Sequence, residues 1–297
     1  KLFGWREIFI IIGMIFVLAI PATMDFFGES STPAKVAGMG LFCLILFPIT
    51  VVATLVFVPD KVTERKEAPG WRDFLGILRS NPLLWRLLIA DFTTSFAISA
   101  TAALYIFVAS YAFDLQDQAS MALLLYFVAG FLAMPAWLKL TYRVGKVGAI
   151  KLAMGYTMVL QSGLFFVAEP GNVGLFWSYT FLAGLAFGAT PTLLHSLMAD
   201  LTDIDELKTG QKRAGMYFAL LGTISKLGGA LAVGFTLTTA DTLFDFTPGA
   251  ANSQTAVDGL LLIFCFVPVT AMALTYIPLH RYPLTKEKLT EIKHSPG

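Results

Sequence analysis

The chain has 297 residues, of which 56% are hydrophobic and only 14% are charged, and its formal net charge is +1. A soluble domain cannot bury this much apolar surface, so the composition excludes an ordinary soluble globular protein. The near-zero charge provides no basic face, which argues against a nucleic-acid partner.

Apolar segments long enough to cross a bilayer recur along the whole chain. A membrane-spanning helix needs roughly 20 mostly apolar residues. The sequence predicts eight such helices, at residues 8–25, 37–58, 86–112, 119–139, 147–168, 173–198, 214–239 and 259–279. We therefore predict an all-α polytopic membrane protein. Cys43 and Cys265 both fall inside these runs and are interpreted as small core residues.

One long charged loop divides the predicted helices into two groups. Four apolar residues of this loop share one helical face, which indicates a short amphipathic helix on the membrane surface: Trp71, Phe74, Leu75 and Leu78. The predicted organisation is two helices in residues 1–58, a cytoplasmic central loop at 59–82, a six-helix bundle at 83–283 and a cytoplasmic tail at 284–297. The chain does not begin with Met and shows no signal-peptide pattern, so we expect a preceding segment.

The positive charges outside the predicted helices are concentrated on one side of the membrane. If the helices alternate in direction, the side that holds Lys1 carries almost all of the Lys and Arg residues. The opposite side carries Lys35 together with a set of Asp and Glu residues. The positive-inside rule assigns the side of Lys1 to the cytoplasm. We therefore expect both ends of this chain in the cytoplasm and the protein in the bacterial inner (cytoplasmic) membrane.

Three segments resemble one family of transporters. Residues 198–234 contain Ala-Asp-x-x-Asp, then Thr-Gly and a basic residue, and then a helix with a central Lys-x-Gly. This pattern resembles the signature of the glycoside–pentoside–hexuronide:cation symporters, the melibiose-permease branch of the major facilitator superfamily. Residues 126–146 resemble the eighth helix and following loop of that family, with Tyr-Arg-Val-Gly-Lys in place of the superfamily's Asp-Arg-x-Gly-Arg/Lys. The central loop ends in a similar Asn-x-Leu-Leu-Trp, at residues 81–85.

The resemblance implies a fold of twelve helices in two bundles, of which the eight predicted here correspond to the fifth to the twelfth. The first four helices of the family have no counterpart in this sequence. Family cation-binding carboxylates lie mainly on the second and fourth helices, so no coupling-ion site is expected among these residues. The implied activity is symport of a small polar solute such as a sugar or glycoside, coupled to Na⁺ or H⁺ by alternating access, with no other cofactor. The expected partners are the solute, the lipid bilayer, and either a missing N-terminal segment or a larger membrane complex.

Lys226 lies near the middle of the predicted span 214–239. Each helix end is roughly 18 Å away at 1.5 Å per residue, too far for the ammonium to reach an interface. An unpaired charge at the bilayer centre costs about 2.5–3.5 kcal/mol, so Lys226 should face a carboxylate, the bundle interior or a water-filled cavity. It is therefore either half of a structural ion pair or a solute-binding group. The resemblance implies the second role, because the family has a lysine at this position in its substrate and cation region.

Three further residues are candidates for the same pathway. The resemblance implies that Arg6 binds the sugar, although an arginine near the end of a helix is also ordinary at a membrane interface. Asp91 is interpreted either as a proton-linked carboxylate or as a wetted residue near the interface. His195 is either a group that titrates near neutrality or a buried, hydrogen-bonded histidine. Several polar and aromatic residues are interpreted as packing groups that could also face the cavity: Gln161, Tyr105, Tyr126 and Trp177.

Charged residues at the predicted cytoplasmic ends of the helices form a separate group: Arg143, Asp200, Asp203 and Arg213. The resemblance implies that such residues pair across the bundle face when the cavity is closed to the cytoplasm and separate when it opens. Surface ion pairs are worth only about 0–1 kcal/mol each, but a partly buried network can bias two states that differ by a few kcal/mol. The alternative is that these charges belong to solvated loops.

Enzyme motifs are missing from the sequence. It contains no GxxxxGK[ST] phosphate-binding loop, no HExxH and no GxSxG, so neither ATP-driven transport within this chain nor hydrolysis of those types is expected. The main alternative to transport is a transporter-derived structural or assembly subunit of a larger membrane complex, without transport activity.

Overall fold

A computed structural model describes residues 2–26, 31–58, 76–78, 81–211 and 213–283. This part of the chain contains eight α-helices: α1 (Leu2–Phe26), α2 (Thr32–Phe57), α3 (Pro82–Phe107), α4 (Ala119–Val167), α5 (Val173–Leu185), α6 (Ala189–Thr209), α7 (Ala214–Phe244) and α8 (Gln254–Leu279). A π-helical turn extends α3 over Val108–Ala112. The described residues form no β-strand, so the predicted all-helical fold class is confirmed.

Side-chain caps define the starts of three helices, one of which is α5, where Asn172 accepts from the backbone N–H of Leu175 at 3.0 Å. Asn81 accepts hydrogen bonds from the backbone N–H groups of Leu83 and Leu84, at 3.1 and 3.2 Å, and Pro82 occupies the first turn of α3. Ser253 accepts one from the backbone N–H of Ala256 at 3.2 Å and so caps α8. These residues satisfy N–H groups that have no partner within the helix.

Helix α4 contains two of the predicted spans. Six segments of the described chain are long and apolar enough to cross a membrane, and the longest, Gln116–Val167, has 52 residues. A straight helix of that length would be about 78 Å long, more than twice the bilayer core. Gly145 interrupts it with φ 77° and ψ 166°. Trp137 and Tyr156, on either side of Gly145, hydrogen-bond to the same turn of α5, as expected if the chain reverses direction at this glycine.

The span predicted at 173–198 is interrupted as well and is longer than predicted. It comprises α5 and α6, separated by a tight turn in which Gly188 has φ 76°. The N–H groups of Ala186 and Ala189 bond three residues back, to Ala183 and Ala186. The helix α6 then continues to Thr209, and its last turns contain charged residues that lie beyond the apolar segment.

Carbonyl groups released by this interruption find partners on α4. The carbonyls of Leu182 and Leu185 lose the N–H groups that a continuous helix would provide four residues later. The Tyr156 hydroxyl donates to Leu182 O at 2.7 Å, and Trp137 Nε1 donates to Leu185 O at 2.6 Å. The broken span is therefore hydrogen-bonded to α4.

Glycines allow two pairs of helices to approach closely. A Cβ added at Gly184 on α5 would lie 2.3 Å from the backbone oxygen of Tyr126 on α4. A Cβ added at Gly228 on α7 would lie 2.7 Å from the backbone oxygen of Phe92 on α3. Small residues at such crossings permit backbone contact between membrane helices.

The N-terminal helices pack on one side of the remaining six. Helix α1 contacts α4 and α6, whereas α2 contacts chiefly α1. Large apolar side chains of α2 are exposed, with Phe47 71% and Leu55 76% accessible. The predicted amphipathic helix of the central loop falls largely outside the described residues, although 76–78 is helical and Ile77 is buried in the core.

Candidate functional site

Lys226 lies on α7, two residues before Gly228, where α7 makes a close contact with α3. Its side chain is exposed on the face where α3 and α7 form a shallow depression. Three serines border this depression with Lys226: Ser95, Ser99 and Ser225. Among the residues that the structure describes, no carboxylate forms an ion pair with Lys226. The structural ion-pair interpretation of Lys226 therefore has no partner within the described chain.

Asp91 lies directly behind this depression. The residue is 2% exposed, and the Ser225 hydroxyl donates a hydrogen bond to its Oδ2. Because Ser225 precedes Lys226, the contact between α3 and α7 brings the two predicted residues to one place. The interpretation of Asp91 as a wetted interfacial residue does not agree with its burial. Ser225, which connects the two, was not among the predicted site residues, although its hydroxyl next to a mid-span lysine was an available signal.

His195 lies on α6, half-buried and within electrostatic range of Asp91. Its Nδ1 is 2.8 Å from the carbonyl oxygen of Pro191, and its ring is stacked on Phe218 with centroids 6.4 Å apart. A carbonyl oxygen only accepts, so Nδ1 carries a hydrogen and donates it to this carbonyl. His195 therefore has a hydrogen bond but is only half-buried, and both interpretations of it stay predictions.

Arg6 is the remaining predicted solute-binding residue. It lies on α1, which packs against α4 and α6, but its side chain lies outside the described part of the structure. Its role in solute binding therefore stays a prediction.

Two of the four charged residues predicted at the cytoplasmic end form ion pairs, each with a residue outside that group. Lys146 Nζ is 2.5 Å from Asp200 Oδ2 and also donates to the carbonyl of Ser196 at 3.1 Å. Arg213 makes a bidentate contact with Asp205, with donor–acceptor distances of 3.0 and 2.8 Å. These side chains are partly buried, with at most 28% exposed.

The other two predicted gating residues lie elsewhere on this end. Arg143 and Asp203 are both exposed, the second of them on α6. No ion pair of the Arg143 guanidinium occurs among the described residues. The chain reversal at Gly145 directs Lys146 to α6 in place of Arg143. The left-handed turn at Gly210, with φ 66°, returns the chain so that Arg213 reaches Asp205. Asp200 and Arg213 are thus paired with partners outside the predicted set, and the gating role of the four residues stays a prediction.

No group of three or more His, Cys, Asp or Glu side chains in the described ranges has the arrangement of a metal site. The candidate site consists of the Lys226 ammonium, the buried Asp91 carboxylate and the serine hydroxyl groups near them. Such a set can bind hydroxyl groups or an anion by hydrogen bonds and charge, and the carboxylate can accept a proton.

Comparisons with known proteins test the family resemblance. Residues 1–286 match the family model described as MFS/sugar transport protein. An uncharacterized symporter of Synechocystis sp. is 28% identical over 178 residues, 54% of this chain and 32% of that protein. The putative glycoside/cation symporter YagG of Escherichia coli is 26% identical over 218 residues, covering 70% and 45% of the two chains. A glucuronide carrier protein homolog of Escherichia coli is 23% identical over 278 residues, covering 89% and 58%.

The matched regions thus cover between 32% and 58% of these three relatives. The resemblance to cation symporters inferred from residues 198–234 is confirmed at the level of the family, because the family model covers nearly the whole chain. The chain belongs to the MFS/sugar transport protein family.

Proposed function

We propose that this chain functions in secondary active transport, moving a small polar solute such as a sugar or glycoside together with Na⁺ or H⁺. The observation that supports it most directly is the exposed ammonium of Lys226 in the middle of a long apolar helix, bordered by serine hydroxyls. A charge in that position costs free energy unless a cavity or a ligand faces it. A polar solute bound between two bundles by alternating access provides such a partner.

The relatives' names favour a glycoside as the solute. Two relatives are described as a glycoside/cation symporter and a glucuronide carrier homolog. A glucuronide offers a carboxylate to an ammonium, and any glycoside offers hydroxyl groups to lysine and serine. Lys226 would bind either group.

Asp91 is the group that we propose to bind a coupling proton. A buried carboxylate without a cationic partner is costly in its charged form, so binding a proton lowers that cost. Ser225 hydrogen-bonds to it, and two further ionisable groups lie nearby: His195 within electrostatic range and Lys226 next to Ser225 in the chain. Proton binding at Asp91 would then be sensitive to whether the solute occupies Lys226.

Replacement of Lys226 tests the solute site. We expect Lys226→Ala to reduce gradient-driven uptake into proteoliposomes by at least tenfold, since a hydrogen bond between the solute and a charged group is worth about 1.5–3 kcal/mol. Lys226→Arg should restore it only partly, because a planar guanidinium replaces a compact point charge. Lys208→Ala is the matched control, as Lys208 lies in the last turn of α6 and is exposed. Normal coupled uptake by Lys226→Ala would contradict the proposal, and no gradient-driven uptake by the parent protein would favour the assembly-subunit alternative.

Replacement of Asp91 tests the coupling step. We expect Asp91→Asn to abolish accumulation of solute driven by a proton gradient while exchange of solute at equal concentrations continues. Asp258→Asn, at an exposed position near the start of α8, is the control. Uptake by Asp91→Asn that still follows an imposed pH gradient would exclude Asp91 as the proton-binding group.

A further inference from the structure

A cavity of about 170 Å³ lies inside the six-helix part of the chain. Residues from α3, α4, α5, α6, α8 and the turn between α5 and α6 line it, among them Thr94, Tyr126, Gln161, Thr180, Phe187 and Phe264. None of the lining residues is charged, and most of the lining surface is carbon. An ionised ligand is therefore excluded by the cost of its desolvation.

The size of the cavity limits its occupant to a single ring. Pockets for drug-sized molecules enclose about 300–1,000 Å³, whereas an apolar protein cavity of about 150 Å³ binds one benzene molecule and otherwise stays dry. At one end, the rings of Tyr126, Phe127 and Phe187 lie with centroids 5.0–5.2 Å apart. Aromatic walls of this kind favour edge-to-face contact with another ring.

Among the described residues that line the cavity, one buried hydroxyl oxygen has no hydrogen-bond partner. Gln161 is satisfied within the protein, since its amide donates to Phe264 O and accepts from the Tyr179 hydroxyl, both at 2.7 Å. Thr94 is 3% exposed, and its buried Oγ1 has no hydrogen-bond partner in the described structure. This oxygen has almost no accessible surface, so the Thr94 side chain must turn about its Cα–Cβ bond for a ligand oxygen to reach it. Such a ligand would satisfy it, and buried hydroxyl groups are rarely left without a partner.

The cavity adjoins the depression around Lys226. Ile98 lines both, and Thr94 and Ser95, neighbours on α3, line one each. A molecule with a polar end at Lys226 and a ring beyond Ile98 would occupy the two together.

We propose that the cavity binds one uncharged six-membered ring bearing an oxygen substituent, and that this ring is the aglycone of a glycoside whose sugar lies at Lys226. The position of the sugar rests on the proposed function, whereas the ring site depends only on the cavity. The inference makes aryl glycosides the preferred solute class, because a methyl glycoside leaves the cavity empty.

Binding of 4-fluorophenol to the complete protein in lipid nanodiscs, followed by ¹⁹F NMR, tests the ring site. We expect one saturable site per chain above the non-saturable partitioning measured in empty nanodiscs. Ala183→Leu and Thr157→Leu, which fill the cavity from two different helices, should each abolish it. The melting temperatures of both variants are measured as well. If they equal that of the parent protein, the loss of binding is due to loss of space in the cavity and not to misfolding.

Two threonines provide a matched pair for the hydrogen bond. Thr94→Val should weaken 4-fluorophenol binding about three- to tenfold, the usual effect of one lost hydrogen bond. Thr192→Val is the control, because Thr192 Oγ1 is also buried without a partner but Thr192 does not line the cavity. Absence of a saturable site in the parent protein, or its persistence in both filled variants, would overturn the inference.

Transport measurements separate this inference from the proposed function. If 4-fluorophenol binds as expected but no glycoside is accumulated, the proposed function fails and the ring site stands. If a methyl and a phenyl glycoside of the same sugar are transported equally well, and the filled variants transport both normally, the aglycone assignment is wrong while the transport proposal stands.

Discussion

The contact between Gly228 on α7 and Phe92 on α3 aligns Asp91 with Ser225, and it can be tested by adding one methyl group. The Cβ of Gly228→Ala would lie 2.7 Å from Phe92 O, closer than real Cβ contacts. The obstacle is backbone, so the two helices must move apart. Overpacking of this kind costs about 1–3 kcal/mol.

A glycine on the same helix provides the control for this substitution. A Cβ added at Gly222 meets nothing within 4 Å. Both substitutions to alanine carry the same gain in helix propensity, at most about 1 kcal/mol, so their difference isolates the clash. Gly228→Ala should therefore have a free energy of unfolding about 1–3 kcal/mol below that of Gly222→Ala, which is about 5- to 150-fold in the unfolding equilibrium.

Denaturant titration in mixed micelles measures this difference, provided that both variants unfold with the same denaturant dependence as the parent protein. Equal stability of Gly228→Ala and Gly222→Ala would refute the close contact. It would also remove the basis for placing Asp91 against Ser225, because separated helices could not maintain that hydrogen bond.

Two further predictions concern topology and gating. Tags after Gly297 and within 59–70 should be accessible only from the cytoplasm, whereas a tag within 246–254 should be labelled in intact spheroplasts. Labelling of the 246–254 tag only after lysis would reverse the topology assignment. Lys146→Ala removes a partly buried ion pair and should shift the balance between inward- and outward-open states by about 1–2 kcal/mol, measured by the labelling rates of single cysteines on the two sides. Arg143→Ala, at an exposed position, should change those rates little, and an equal effect of both variants would contradict the observed pairing.

The helical fold could be predicted because apolar length alone identifies membrane spans. The reversal at Gly145 fell between two predicted spans, since charged residues interrupt the apolar pattern there. The ends of α6 and α7 were placed too early, because hydropathy reports where the apolar segment ends, whereas backbone hydrogen bonds continue the helix to Thr209 and Phe244.

Residue chemistry identified Lys226 and Asp91 separately, since a charged group inside an apolar run is conspicuous. Their proximity could not be predicted, because it depends on which faces of α3 and α7 meet. The partners of Asp200 and Arg213 could not be predicted for the same reason, since Arg213 reaches Asp205 after the left-handed turn at Gly210. The cavity was also not predicted, since its threonines and aromatic residues come from several helices and individually resemble packing residues.

The interruption between α5 and α6 has a consequence for the order in which the protein assembles. In lipid, an unsatisfied carbonyl costs several kcal/mol, so a helix that inserts alone must keep its own hydrogen-bond ladder intact. The carbonyls of Leu182 and Leu185 instead depend on Tyr156 and Trp137, which belong to α4. Before α4 is in place, 173–209 should therefore be a continuous helix. The turn at Gly188, and with it the end of the cavity lined by Phe187, should form only when the neighbouring hairpin docks.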